Sequence, residues 1–139
     1  MMQTIDMQTM RHINLFRKIT RIETTNCFEY NNTIFFAVPR GLISQAVGPQ
    51  GSNVRRIGET IRKKIRVIEM FEDSRNLQRF ISSIVDPIQF NKFEVIENTA
   101  VITAGKQSKA ALIGRNRGRE QELQDILQKF FGIEKLRIV

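Results

Sequence analysis

Residues 42–61 read LISQAVGPQGSNVRRIGETI: a short apolar helical pattern, a Gly48-Pro49-Gln50-Gly51 turn, and a second, longer helical pattern. Sixty-six positions on, the arrangement returns as Ile113-Gly114-Arg115-Asn116-Arg117. Its surroundings return with it. Asn32-Thr33 and the apolar run Ile34 to Val38 align with Asn98-Thr99 and Ala100 to Ala104, and Ile57 and Ile61 align with Leu123 and Leu127. Self-similarity at a fixed offset sets the architecture before any residue is interpreted, and two copies are too few for a solenoid. The chain reads as two tandem copies of one small module, each built round a glycine- or arginine-rich loop between two helices.

Working outward, Asp6 can cap a helix that carries Met10, Ile13, Phe16 and Ile19 on one face and ends near Thr20. Strand-like segments follow at about Ile22 to Tyr30 and Thr33 to Val38, separated by Asn31-Asn32, which tolerates the positive φ of a tight hairpin. After Pro39 a short helix carries Leu42, Ile43, Ala46 and Val47 and stops at Gly48. Ser52 or Asn53 can cap the next helix, whose Val54, Ile57 and Ile61 face inward, and Lys64 to Phe71 reads as a third strand. The second half repeats the order. It has a helix with Leu77, Phe80, Ile81 and Ile84, strands near Phe90 to Glu97 and Thr99 to Ala104, and a short helix ending at Gly114. A longer helix with Leu123, Ile126, Leu127 and Phe130 and a last strand at Leu136 to Val139 complete it.

The order αββααβ, twice, places the modules at 1–72 and 73–139, with only a short polar connector around Glu72 to Arg75 between them. Modules of roughly 65 residues bury only about 60% of their unfolded surface, so packing of one on the other is expected. So short a connector, lacking a Gly/Ser or Pro-rich spacer, predicts a fixed relative orientation.

Composition narrows the partner. The 139 residues carry a formal net charge of +8 with a pI near 10.3 and an ordinary apolar share of 41%. This is a folded basic protein, and its natural polyanions are nucleic acid or an anionic membrane surface. No apolar stretch approaches the length of a membrane span, and the first residues lack a signal-peptide pattern, so a cytoplasmic protein is expected. The single cysteine, Cys27, cannot form an internal disulfide, and with one histidine, His12, there is no zinc-ligand set; neither metal nor cofactor is expected.

The helix-GXXG-helix core of residues 42–61, with two strands before it and one after, resembles a type II KH domain. The tandem arrangement resembles the KH pair of the NusA family of transcription factors, in its short archaeal-type form, over nearly the whole chain from about Asp6. The resemblance implies an α+β fold, two-layered, of two type II KH modules, each a three-stranded sheet packed by helices. It also implies a shallow apolar groove between the short helix and the neighbouring strand, where bases lie; Ile43, Val47, Ile57 and Val67 are the residues to line it. Longer bacterial members are expected to carry a polymerase-binding domain and an S1 domain ahead of the KH pair, neither of which is within these 139 residues.

The loop has a physical reading of its own. Glycines at 48 and 51 put no Cβ in the way of a sugar-phosphate backbone and permit positive φ. The N–H groups opening the second helix, Ser52 to Arg55, are expected to point outward with the positive end of the helix dipole behind them. KH loops clamp about four nucleotides of single-stranded backbone in this way. Gly48, Pro49, Gln50, Gly51, Ser52, Asn53, Arg55 and Arg56, with Ile43 and Val47, are therefore the first set of RNA-binding residues. A lone GXXG also serves as a plain helix-to-helix turn, and it is the basic chain and the flanking strands that favour RNA.

The second loop has Arg117 where the first has Gly51. Arginine is strained at positive φ, so the turn is expected to change shape or to pass its glycine role to Gly118. Charge compensates: Lys106, Lys109, Arg115, Arg117 and Arg119 form a dense basic set, and arginine grips phosphate bidentately. Lys109, Gly114, Arg115, Asn116, Arg117, Gly118 and Arg119 form the second set. The cluster Arg62, Lys63, Lys64 and Arg66 reads as a solvated helix end. The phenylalanines, such as Phe16, Phe36, Phe80 and Phe130, sit at core spacing; Cys27 reads as a buried hydrophobe and His12 as a helix surface residue.

An enzyme is not expected. "GPQGSNVR" lacks the spacing and lysine of a phosphate-binding loop, and one Cys and one His supply no nucleophile, base and orienter. The sequence points to a non-catalytic single-stranded RNA-binding protein. Through the NusA resemblance it is placed in transcription elongation, termination or antitermination, with RNA polymerase as a further partner and no membrane or small-molecule substrate. A KH protein of ribosome assembly or rRNA processing, and a protein-interaction scaffold that has lost RNA binding, stay open as alternatives.

Overall fold

The computed structural model describes residues 6–71 and 74–139. It divides into two compact units, Met1–Phe71 and Glu72–Val139. Residues 72 and 73, where the connector and the module boundary were expected, lie outside the described residues. The first unit runs α1 (Met7–Thr20), β1 (Cys27–Tyr30), β2 (Thr33–Val38), α2 (Ile43–Val47), α3 (Ser52–Ile61) and β3 (Lys64–Glu69). The second runs α4 (Leu77–Val85), β4 (Lys92–Ile96), β5 (Thr99–Thr103), α5 (Lys106–Ile113), α6 (Gly118–Phe131) and β6 (Lys135–Ile138). Each is αββααβ, the α+β arrangement the sequence implies.

Local signals explain most boundaries. The Asp6 side chain accepts from the Thr9 N–H at 2.7 Å and caps α1, as expected, and Arg21 closes the helix in the left-handed region at φ 67. The hairpins turn on Asn31-Asn32 (φ 50 and 61) and on Glu97-Asn98 (φ 47 and 63). Two consecutive positive φ values make the tight turn that matches strand twist. In each sheet the first two strands pair antiparallel and the third pairs parallel to the second, giving orders β1-β2-β3 and β4-β5-β6. Parallel neighbours need a crossover, and the helix pair α2–α3, or α5–α6, supplies it. The loop between the helices thus sits on the crossover of each sheet.

The inward face of the first sheet presents Cys27, Ile34, Phe36, Val38 and Ile65 to Phe16, Ala46 and Ile57. Phe16 and Phe36 stack at 4.3 Å between ring centroids, both fully buried. Burial of each such ring contributes about 1.5–3 kcal/mol, which ties α1 to the sheet centre. In the second unit Ala100, Ile102, Leu136 and Ile138 are buried on the strands, and Phe80, Ile81, Ile84, Leu112, Leu123 and Leu127 on the helices.

Three expectations need correction. The first strand starts at Cys27, not Ile22, because the Thr24 hydroxyl donates to the Ala37 carbonyl at 2.8 Å and accepts from the Asn26 N–H at 3.1 Å. A side chain thus takes the place of a ladder bond over that stretch. Phe130 is half-buried rather than core, with Lys129 Nζ 5.4 Å from its ring centroid. Neither Ser52 nor Asn53 caps α3; the N-cap is Gly51, with no side-chain bond.

Candidate nucleic-acid interface

The first loop is a tight turn, Gly48 to Gly51, with Gln50 in the left-handed region at φ 55 and ψ 29, and its two glycines have different duties. Gly48 has φ 79 and ψ 168, a region essentially closed to other residues. A Cβ there would lie 2.8 Å from Asn53 Cγ and 2.9 Å from Ser52 Oγ, so this glycine lets the chain pack on its own helix start. Gly51 is left-handed, φ 74 and ψ 19, and a Cβ there would meet nothing within 4 Å. The open space that a close-approaching backbone needs therefore belongs to Gly51, not Gly48.

Around the turn, Gly51 N–H donates to Gly48 O at 3.1 Å, and the Ser52 N–H is taken by Pro49 O. Ser52 is thus not one of the outward donors the sequence led us to expect. Asn53 Nδ2 donates to Gln45 O at 3.1 Å, and Gln45 Nε2 donates to Thr20 O at 3.2 Å, chaining α3 to α2 and α2 to the end of α1. Arg55 Nη2 donates to Gln50 O at 2.7 Å and braces the turn from the side. Pro49, Gln50, Arg55 and Arg56 are exposed. The result is a braced, projecting turn whose tip carries no acidic side chain.

The second loop repeats the first almost angle for angle. Gly114 has φ 75 and ψ 173, Asn116 has φ 56 and ψ 29 against φ 55 and ψ 29 at Gln50, and Arg117 has φ 60 and ψ 24. Arg117 N–H donates to Gly114 O at 3.2 Å, as Gly51 does to Gly48. The expectation of a changed shape, or of a glycine role moved to Gly118, is overturned. Gly118 is ordinary right-handed helix at φ −62, and Arg117 itself takes the left-handed position. Its side chain is 81% exposed and lies 3.6 Å from Glu120, so nothing crowds it. Arg119 differs: it pairs with Glu122 at 3.1 Å, and a Cβ on Gly114 would sit 2.6 Å from its Cγ. It supports the turn, while Arg115, Asn116 and Arg117 project from it.

Beside the first loop, α2 packs on β3. Ile43 and Val47 on α2 and Val67 on β3 are half-buried apolar side chains there. Ile57, expected to join them, is fully buried in the core and cannot line a surface groove. Its place on the inward stripe of α3, next to the sheet, decides this. In α5 the position matching Ile43 is the half-buried Lys109.

The other basic residues divide. Lys63 Nζ binds the Glu29 carboxylate at 2.8 Å, and the Arg66 guanidinium lies 5.2 Å from the Phe35 ring centroid. Sequence reasoning missed one regularity: Lys64 and Arg66 pair with Thr33 and Phe35 as Lys135 and Arg137 pair with Thr99 and Val101. The offset there is seventy-one because α6 has 14 residues against 10 in α3 and the loop from helix to strand is one residue longer. His12 is half-buried rather than a plain surface residue. Burial first, then Lys63, holds its imidazole below the usual value, with Glu29 and Asp6 opposing. Among the described residues no group of three or more His, Cys, Asp or Glu could hold a metal ion, and no helix is long and apolar enough to cross a membrane.

Two sheets of this order, each crossed by a helix-loop-helix of this geometry, define a tandem KH-like α+β protein. The chain is NusA-like over nearly its whole length, with the likeness of the short archaeal form. It is 22% identical over 138 residues to the probable transcription termination protein NusA of Halococcus morrhuae, covering 97% of each. It is 25% identical to the protein of that name from Thermoplasma acidophilum, covering 97% of this chain and 94% of that one. For the Methanocaldococcus jannaschii protein of that name the figures are 27% over 131 residues, 91% and 70%. The crystal structure of APE1850 matches with a TM-score of 0.70 and 26% identity over 97% of this chain and all of that one. No family model matches.

Proposed function

We propose that this protein binds single-stranded RNA at its two interhelical loops and acts, without catalysis, in transcription elongation, termination or antitermination in the cytoplasm. The observation that carries this reading is the first loop: a braced turn with open space over Gly51, exposed Pro49 and Gln50, and the basic Arg55 and Arg56 beside it. A phosphate set against Gly51 meets the positive end of the α3 dipole. Bases then lie toward Ile43, Val47 and Val67, while Asn53 holds the two helices at fixed separation through Gln45.

The second loop offers the same backbone with Arg115, Asn116 and Arg117 projecting and Lys109 alongside. The names of the relatives support the transcriptional setting, and RNA polymerase is the further partner. Titration of short single-stranded RNA at several salt concentrations tests the binding. If about four phosphates are neutralised, log K falls against log[salt] with a slope of about −3. Binding that does not depend on salt contradicts the reading. A termination assay with and without the protein, and co-purification with RNA polymerase rather than ribosomal particles, test the setting.

A further inference from the structure

The two loops share one backbone but their grooves differ in chemistry, and this inference rests on the RNA-binding reading above. We infer that the modules divide the work: the first reads bases, and the second holds phosphates without regard to base, with residue 43 and its counterpart 109 as the determining position.

The loops match at an offset of sixty-six, with backbone angles within 15° for Gly48 and Gly114, Gln50 and Asn116, and Gly51 and Arg117, so residues of α2 and α5 correspond through the same offset. Ile43 therefore corresponds to Lys109, and Leu42 to Ser108; all four are half-buried. An apolar wall lets a base lie against it and be selected by its edges, which is where sequence is read. A lysine at the same place presents a flexible point charge that every phosphate satisfies equally. The loop tips differ in the same sense. Pro49 and Gly51 give way to Arg115 and Arg117, two exposed cations in place of an uncharged tip. Arg117 also puts a side chain over the position that Gly51 leaves open, so close backbone approach is exchanged for longer-range contact through the guanidinium. Close approach positions bases against a wall; reach through a long cation does not.

Three variants of the full chain test this, with A, C and U homo-oligomers as probes at several salt concentrations and circular dichroism to confirm the fold. Ile43→Lys copies the second groove into the first. It should bring the three affinities to within about twofold of one another while keeping salt dependence at least as steep, since it adds a cation. Lys109→Met should leave the spread among the oligomers intact and reduce the salt slope by about 0.7, the share of one phosphate on a single strand. Arg115→Gln with Arg117→Gln should do the same with a reduction of about 1.4. The inference is overturned if the wild-type protein shows no spread among the oligomers, if the second-module variants collapse the spread, or if they leave the slope unchanged. Wild-type protein that binds none of the oligomers would instead overturn the RNA reading itself.

Discussion

Gly51 and Arg117 hold the same left-handed backbone sixty-six residues apart, at φ 74, ψ 19 and φ 60, ψ 24. The loop shape is therefore set by the crossover it closes and by the Gly48 or Gly114 turn before it, not by a glycine in the fourth position. In the second module the fold bears the local strain of a side chain there. An L residue in this region costs about 1–2 kcal/mol, offset in part because glycine loses more freedom on folding.

Arg117→Gly is accordingly expected to stabilise the full chain by about 0.5–1 kcal/mol. Gly51→Arg should destabilise it by a similar amount, since a Cβ there meets nothing within 4 Å. Urea midpoints of the two variants against wild type give the comparison. A destabilising Arg117→Gly would show that the arginine makes contacts worth more than the strain.

The paired glycines of the first loop should respond unequally. Gly48→Ala combines a backbone region nearly closed to alanine with a Cβ 2.8 Å from Asn53 Cγ, and should cost about 3 kcal/mol. Gly51→Ala meets only the left-handed strain and should cost about 1 kcal/mol. Equal losses at the two positions, measured by the same unfolding curves, contradict the assignment of separate duties.

Much of this was legible in the sequence because it rests on short-range chemistry. The offset of sixty-six, the Asp6 cap, the Asn31-Asn32 hairpin and strand Thr33–Val38 all follow from local signals and periodicity. What escaped depends on the third dimension. Helical spacing puts Ile57 on the inward stripe of α3 and the resemblance puts it in the groove; the structure keeps the first and excludes the second, because a side chain packed on the sheet has no surface left to offer a base. Thr24 reads as a strand residue and Asn53 as a cap, yet each donates from its side chain to a backbone carbonyl eight or more positions away. The recurrence of Lys64-x-Arg66 at Lys135-x-Arg137 was hidden because α6 lengthens the spacing. Arg117 was misread because steric preference was applied to one residue, where the closed turn as a whole determines the angle.

Asn53→Ala removes the bond that holds α3 to the Gln45 carbonyl. The expected loss is about 1 kcal/mol of stability. Amide hydrogen exchange should also quicken across residues 45–53, while exchange in α6 stays unchanged. Uniform quickening through both units would contradict a local role.

The His12 imidazole, held below its usual value of 6.5 by burial and then by Lys63, supplies a pH dependence with a definite sign. The unfolded chain takes up the proton at a higher pH than the folded one. The stability this group contributes is fully present above 6.5 and is lost as pH drops from there toward the lower folded value. His12→Gln should flatten the stability curve on the acidic side of 6.5. An unchanged slope in that window would remove His12 as its source.

The central claim, that the first loop clamps RNA, is tested most directly by titrating short single-stranded RNA against the wild-type chain and a Pro49→Asp, Gln50→Asp variant. Both glycines and the Arg55 bond to the carbonyl of residue 50 are kept, and aspartate tolerates the left-handed angle at that position, so circular dichroism should be unchanged. Each added carboxylate opposes a phosphate at contact distance by about 1 kcal/mol in water, so the variant should bind roughly thirtyfold more weakly. Equal affinity of the two proteins, with the fold intact, would contradict the account.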